Sequence, residues 1–102
     1  MNVKTSFDNN ILTVYLDGEL DASNSEKVKN RLEREFGFID KGAVILDMSN
    51  LYFIDSTGLG MLIGRYKVLL NKGIPLKAKN MNEQVRKIFK ISGLNTIIKE
   101  VR

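Results

Sequence analysis

Residues 43–66 read AVILDMSNLYFIDSTGLGMLIGRY, and the pattern of this segment predicts the architecture of the domain. Residues 43–46 form an apolar run without alternation, which is typical of a β-strand buried on both faces. A second apolar run over 51–54 leads into the polar segment 55–58, where a helix is predicted to begin. The helix is indicated by apolar residues at helical spacing, namely Leu59, Leu62, Ile63, Tyr66 and Leu70. A buried strand joined directly to a helix predicts a crossover between parallel strands.

The N-terminal segments predict a β-hairpin followed by a helix. Strands are expected over 3–7 and 11–16, because the connecting residues 8–10 are Asp-Asn-Asn, a turn composition. Several capping residues within 21–26 then predict a helix that runs to about Phe36. The apolar face of this helix is formed by Val28, Leu32 and Phe36.

The C-terminal segments predict one more strand, one more helix and a last strand. Residues 71–73 end the central helix, and 74–78 form a strand with proline near its start. Asn80 is expected to cap the next helix, which ends at 92–93, and a last strand is expected over 96–101. The inward-facing residues of that helix are Val85, Ile88 and Phe89.

The order of elements is therefore β-β-α-β-α-β-α-β. Alternating strands and helices predict one layered α/β domain over residues 1–102, with a mixed sheet and helices packed on it. A chain of 102 residues buries enough apolar surface to fold without a metal ion or a disulfide.

The composition excludes several kinds of catalytic site. The chain has no cysteine and no histidine, which rules out thiolate nucleophiles, imidazole bases and zinc–thiolate sites. The glycine-rich fingerprints of nucleotide-binding proteins are also missing from the sequence. We therefore expect a protein that is not an enzyme and that needs no cofactor or metal ion.

The N-terminal sequence indicates the localisation of the protein, and the distribution of charge limits the classes of partner. The sequence has no apolar run that resembles a signal peptide or that could span a membrane, which predicts a cytoplasmic protein without a membrane partner. The net charge of +4 is uneven, since residues 1–60 carry −4 and residues 61–102 carry +8. The basic residues are mostly spread singly and have no interleaved aromatic residues, so a nucleic-acid partner is not expected.

Ser56 stands where an apolar strand gives way to a helix. The N-terminus of a helix has unpaired N–H groups and partial positive charge, and both stabilise a phosphoryl group. Gly58 and Gly60 are expected to leave the surface open to another backbone, and Leu59 and Met61 to add apolar contact. A purely structural interpretation also fits, in which Asp55 or Ser56 is an ordinary helix cap and Gly58 and Gly60 only let the helix pack tightly on the sheet.

Residues 51–67, with the motif Asp-Ser-Thr-Gly-Leu-Gly, resemble the phosphorylation segment of bacterial anti-sigma factor antagonists of the STAS family. The resemblance is closest to the sporulation and general-stress members. Residues 18–21 resemble the exit of the family's second strand, and residues 91–94 resemble the end of its third helix. The similarity covers nearly the whole chain.

The resemblance implies a partner-switching mechanism. The unphosphorylated protein would bind an anti-sigma factor that is also a serine kinase and so free the sigma factor. Phosphorylation on Ser56 would release the kinase, and a PP2C-type phosphatase would reset the protein. Thr57 is a neighbouring hydroxyl, and Asp21 is expected near the site at the start of the first helix. The implied partner-binding residues are Asp21, Asp55, Thr57, Gly58, Leu59, Gly60 and Met61.

Three alternatives remain open from the sequence. A STAS domain can act as a non-switching scaffold of a signalling assembly or as a regulator of a transporter. A receiver-like domain would be phosphorylated on Asp47, but it needs an adjacent acidic pair for Mg²⁺, which Asp8, Asp17 and Asp21 do not form. An enzyme or nucleotide-binding module would use the turn around Gly58 and Gly60.

Overall fold

The computed structural model describes residues 1–101, which form a five-stranded sheet and three α-helices. The elements in chain order are β1 (Asn2–Asp8), β2 (Ile11–Leu20), α1 (Ser25–Gly37), β3 (Ala43–Ile54), α2 (Ser56–Asn71), β4 (Leu76–Lys79), α3 (Glu83–Ser92), a short 3₁₀-helix (Leu94–Thr96) and β5 (Glu100–Val101). The predicted α/β class and the order β-β-α-β-α-β-α-β are confirmed.

The sheet is mixed, and its strands lie in chain order from β1 to β5. β1 pairs antiparallel with β2 as a hairpin, whereas each later strand is parallel to its neighbour because a helical segment carries the chain back. The ends of β2 and β3 meet at one edge of the sheet, where Leu20 pairs with Ile54. This register places the β2–α1 loop beside the start of α2.

The core forms from the alternating face of β2 and the apolar stripe of α1. Leu12, Val14 and Leu16 are buried on β2, while Tyr15 between them is exposed. The predicted inward residues of α1 are also buried, and together with the β2 residues they belong to one continuous apolar cluster. Each such side chain contributes about 1.5–3 kcal/mol when it is removed from water.

The strand β3 is longer than expected because the polar residues Asp47, Ser49 and Asn50 do not interrupt it. Asp47 accepts hydrogen bonds from the backbone N–H and the hydroxyl of Ser49, at 3.0 and 2.8 Å. The pairing with β2 continues past this point through two shifts of register, one between Tyr15 and Asp17. The two apolar runs of the sequence are therefore parts of a single strand.

Two expectations for the C-terminal half are wrong. Asn82, not Asn80, caps α3, because its side-chain oxygen accepts the N–H of Val85 at 2.8 Å. Asn80 instead adopts the left-handed conformation with a φ of 62°. The last strand is only Glu100–Val101, since a 3₁₀-helix occupies Leu94–Thr96.

In the described part of the chain, no helix is both long and apolar enough to cross a membrane.

Candidate functional site

Asp55 caps the N-terminus of α2 and so determines the position of Ser56. Its backbone is extended, and its Oδ1 accepts the N–H of Gly58 at 2.9 Å. Its carbonyl oxygen accepts the N–H of Leu59 at 2.9 Å. An acidic cap of this kind stabilises a helix by about 1 kcal/mol. Ser56 is therefore the first residue of the helix, and the amides of Ser56 and Thr57 are the two that this cap leaves unused.

The second oxygen of Asp55 ties the β2–α1 loop to the same site. Its Oδ2 accepts the N–H of Ala22 at 3.1 Å, and its own N–H donates to the carbonyl of Leu20 at 3.1 Å. One carboxylate thus holds both the start of α2 and the loop before α1. The two segments that the sequence separates by more than thirty residues form one surface.

Asp21 lies in this loop, as expected, but it does not cap α1. Its Oδ1 accepts the hydroxyl and the N–H of Ser23, at 2.5 and 3.0 Å. The hydrogen bond from the Ser23 hydroxyl lowers the pKa of Asp21 below its usual range. The residue at the cap position is Asn24, whose side chain binds back to the N–H of Asp21 and to the carbonyl of Glu19. Asp21 therefore shapes the loop beside Ser56.

The hydroxyl groups of Ser56 and Thr57 are exposed at the start of α2. Within residues 1–101, neither hydroxyl has a hydrogen-bond partner in the chain. A free hydroxyl at a helix N-terminus is accessible to another protein, and the helix carries partial positive charge at this end.

Gly58 and Gly60 have different roles, and for Gly58 the packing interpretation holds whereas the expected open surface is wrong. Gly58 is buried, and a Cβ at this position would lie 2.9 Å from Cγ1 of Ile54 and 2.9 Å from the carbonyl oxygen of Leu20. Its missing side chain lets α2 approach the sheet and does not open the surface. Gly60 is exposed, and nothing lies within 4 Å of the position of a Cβ. Of these two glycines, Gly60 is the one that leaves open space at the surface.

The apolar part of the surface also differs from the expectation. Met61 is only 9% exposed and packs in the core, so it offers no contact area, and Leu59 is half-buried against the same core. Two aromatic residues shortly before Ser56 are exposed instead, Tyr52 at 60% and Phe53 at 38%. The strand partner of Phe53 is the exposed polar residue Glu19, a pairing that only the register of the sheet reveals.

The model of the STAS domain family matches residues 2–102. The chain belongs to the STAS family. It is 34% identical over 88 residues to the anti-sigma F factor antagonist of Paenibacillus polymyxa, covering 86% of this chain and 75% of that protein. It is 32% identical over 92 residues to the anti-sigma-B factor antagonist of Listeria monocytogenes, covering 89% and 79%.

Among solved structures, this STAS domain resembles the Bacillus cell fate determinant SpoIIAA in its phosphorylated form. The TM-score is 0.73 at 23% sequence identity, and the match covers 99% of this chain and 92% of SpoIIAA. The likeness shows that the two proteins share a fold.

Asp47 has a structural role in this STAS domain. Its Oδ1 is held by Ser49, and its Oδ2 lies 3.4 Å from the side-chain amide of Asn80 and 4.0 Å from Nζ of Lys79. Burial raises the pKa of Asp47, but the hydrogen bonds from Ser49 and Asn80 outweigh burial, and the net effect is a lowered pKa. No group of three or more metal-ligating side chains occurs among the described residues. The arrangement lacks the acidic neighbours that a receiver-like phosphoacceptor requires.

Proposed function

We propose that this STAS domain is a cytoplasmic anti-sigma factor antagonist that works by partner switching, with Ser56 as its phosphoacceptor. The observation that carries the proposal is the free, exposed hydroxyl of Ser56 at the capped start of α2. The names of the relatives support the role of antagonist. The phosphorylated form of SpoIIAA supports phosphorylation as the switch on this fold.

Phosphorylation of Ser56 is a transfer between two proteins. The Ser56 oxygen attacks the γ-phosphorus of ATP held by an anti-sigma factor that is a serine kinase. A new O–P bond forms, the bond to the β–γ bridging oxygen breaks, and ADP leaves. The hydroxyl proton passes to a base of the kinase, because the two oxygens of Asp55 are already engaged by Gly58 and Ala22.

The added phosphate releases the kinase through its charge. A phosphoserine carries about −1.5 to −2 charges at neutral pH. It would stand beside the carboxylates of Asp21 and Asp55, while the unused amides of Ser56 and Thr57 stabilise it on the free protein. Burying that charge in the interface is costly unless the kinase provides a matched cation, so affinity falls. A PP2C-type phosphatase then restores the unphosphorylated protein.

The test is phosphorylation by the anti-sigma kinase of the same organism. We expect ATP-dependent labelling of the wild type, with mass spectrometry locating the phosphate on Ser56. Ser56→Ala should bind the kinase without being labelled, and the control Thr57→Ala should be labelled like the wild type. Undiminished labelling of Ser56→Ala would contradict the assignment of the acceptor. If Ser56→Asp bound as tightly as the wild type, release by charge would be wrong.

A further inference from the structure

The charged residues of α1 are segregated onto two sides of the helix. Glu33 faces α2, where its Oε1 lies 2.6 Å from Nη1 of Arg65. On that same side, Nζ of Lys29 lies 3.9 Å from Oε1 of Glu26 and 3.7 Å from Oε1 of Glu33. Glu26 and Glu33 are therefore engaged in ion pairs on this side of α1, and the third acidic residue of the helix, Glu35, pairs with Arg31.

The other side of α1 carries a basic stripe, which we define as Lys27, Arg31 and Arg34. At about 100° per residue, the spacings i, i+4 and i+7 place the three side chains within an arc of about 60°. They line a groove of about 280 Å³ between α1 and β1, with Val3 and Val28 among its apolar lining residues. Among the described residues, none of the side chains that line this groove is acidic.

The three cations of the basic stripe are not equivalent. Arg31 is held in place, because its Nε lies 3.1 Å from Oε1 of Glu35 and its Nη1 donates to the carbonyl of Val3 at 3.1 Å. Lys27 and Arg34 are exposed, and within residues 1–101 neither forms an ion pair or a side-chain hydrogen bond. Two cations of the stripe are thus available to an external anion.

The basic stripe begins beside the candidate site. Lys27 lies in the first turn of α1, directly after the loop that Asp55 holds through Ala22. From there the stripe extends about 10 Å along the helix to Arg34. A standard interface buries about 800 Å² on each partner, equivalent to a disc of roughly 16 Å radius. A protein that encloses Ser56 therefore extends from the loop onto the first turns of α1.

We infer that the basic stripe docks an acidic segment of the same kinase that phosphorylates Ser56, an inference that rests on the proposed function. Charge complementarity selects a protein over a uniformly anionic bilayer or nucleic acid. The carboxylates of Asp21 and Asp55 stand at the head of the stripe and repel a uniformly negative surface. A protein presents acidic groups to the stripe and neutral or basic groups to the loop.

The test compares matched charge reversals in the full-length chain. Lys27→Glu combined with Arg34→Glu changes the net charge as much as Lys67→Glu combined with Lys87→Glu, a control pair of exposed lysines on α2 and α3. For the stripe pair, we expect the dissociation constant for the kinase to rise roughly tenfold or more at low salt. The rise should shrink at high salt, and Ser56 should still be phosphorylated at the wild-type maximal rate at saturating kinase.

Several outcomes would overturn this inference. An unchanged dissociation constant for the stripe pair, with normal labelling of Ser56, removes the stripe from the interface and leaves the proposed function standing. An equal loss of kinase affinity in the control pair would show that the effect comes from net charge and not from the stripe. Binding of the wild type to vesicles of anionic lipid, abolished by the stripe pair, assigns the stripe to a membrane surface. Failure of the wild type itself to bind the kinase overturns the proposed function as well.

Discussion

Replacing Gly58 with alanine tests whether this glycine is required by packing inside the domain. The new Cβ would lie 2.9 Å from Cγ1 of Ile54, 2.9 Å from the carbonyl oxygen of Leu20 and 3.0 Å from Cγ of Leu20. That carbonyl is fixed in place, because it accepts the N–H of Asp55 at 3.1 Å. Overpacking of this kind costs about 1–3 kcal/mol.

The helix itself would gain stability from the same substitution. Alanine is favoured over glycine by about 1 kcal/mol in a helix interior. Because a fixed backbone oxygen is among the contacts, we place the steric cost at the upper end of its range, about 3 kcal/mol. Gly58→Ala should therefore lower the free energy of unfolding by about 2 kcal/mol, which corresponds to a melting temperature lower by roughly 8–16 °C.

Gly60→Ala is the matched control, two residues further along α2. Nothing lies within 4 Å of its Cβ position, so only the gain of about 1 kcal/mol in helix stability remains. Urea unfolding followed by circular dichroism should move the two midpoints in opposite directions at equal slope. If Gly58→Ala were as stable as Gly60→Ala, the close approach of α2 to the end of β2 would be wrong.

Two further predictions concern carboxylates. Asp55→Ala should lower the free energy of unfolding by about 1–2 kcal/mol in urea, since α2 loses its cap and Ala22 loses its acceptor; an unchanged midpoint would contradict both bonds. Asp47 has a lowered pKa, so its contribution to stability is complete above the usual value of 3.8 and is lost as the pH falls through the lower folded value. Between about pH 4 and pH 2, stability should fall less steeply in Asp47→Asn than in the wild type, and equal slopes would show that Asp47 does not contribute.

Much of the fold could be predicted because local patterns and tertiary contacts agree. The alternation of β2 and the apolar stripe of α1 indicate the same core, and the structure buries both. The last strand was less predictable, because apolar residues at 97 and 98 suit a strand as well as they suit the end of a helical turn. In the structure, the N–H groups of Ile97 and Ile98 both donate to the carbonyl of Leu94, which ends the helical turn and delays pairing until residue 100.

The candidate site was predictable in position but not in its surface. Asp55 and Ser56 stand at a strand–helix boundary that the sequence marks clearly. Which residues of α2 face outward depends on how the helix is packed against the sheet, where Gly58 lies against Leu20. Because this contact joins residues far apart in the chain, local spacing could not show that Met61 is buried.

The hydrogen bond from Arg31 to the carbonyl of Val3 joins the basic stripe to the edge strand β1. β1 is an edge strand, and unpaired edges invite pairing with other chains. Arg31 covers part of this edge, so its replacement would affect self-association as well as partner recognition. In the described structure, Lys27 and Arg34 form no hydrogen bond to β1. Replacing these two residues would therefore test the proposed docking of the basic stripe without uncovering the edge of β1.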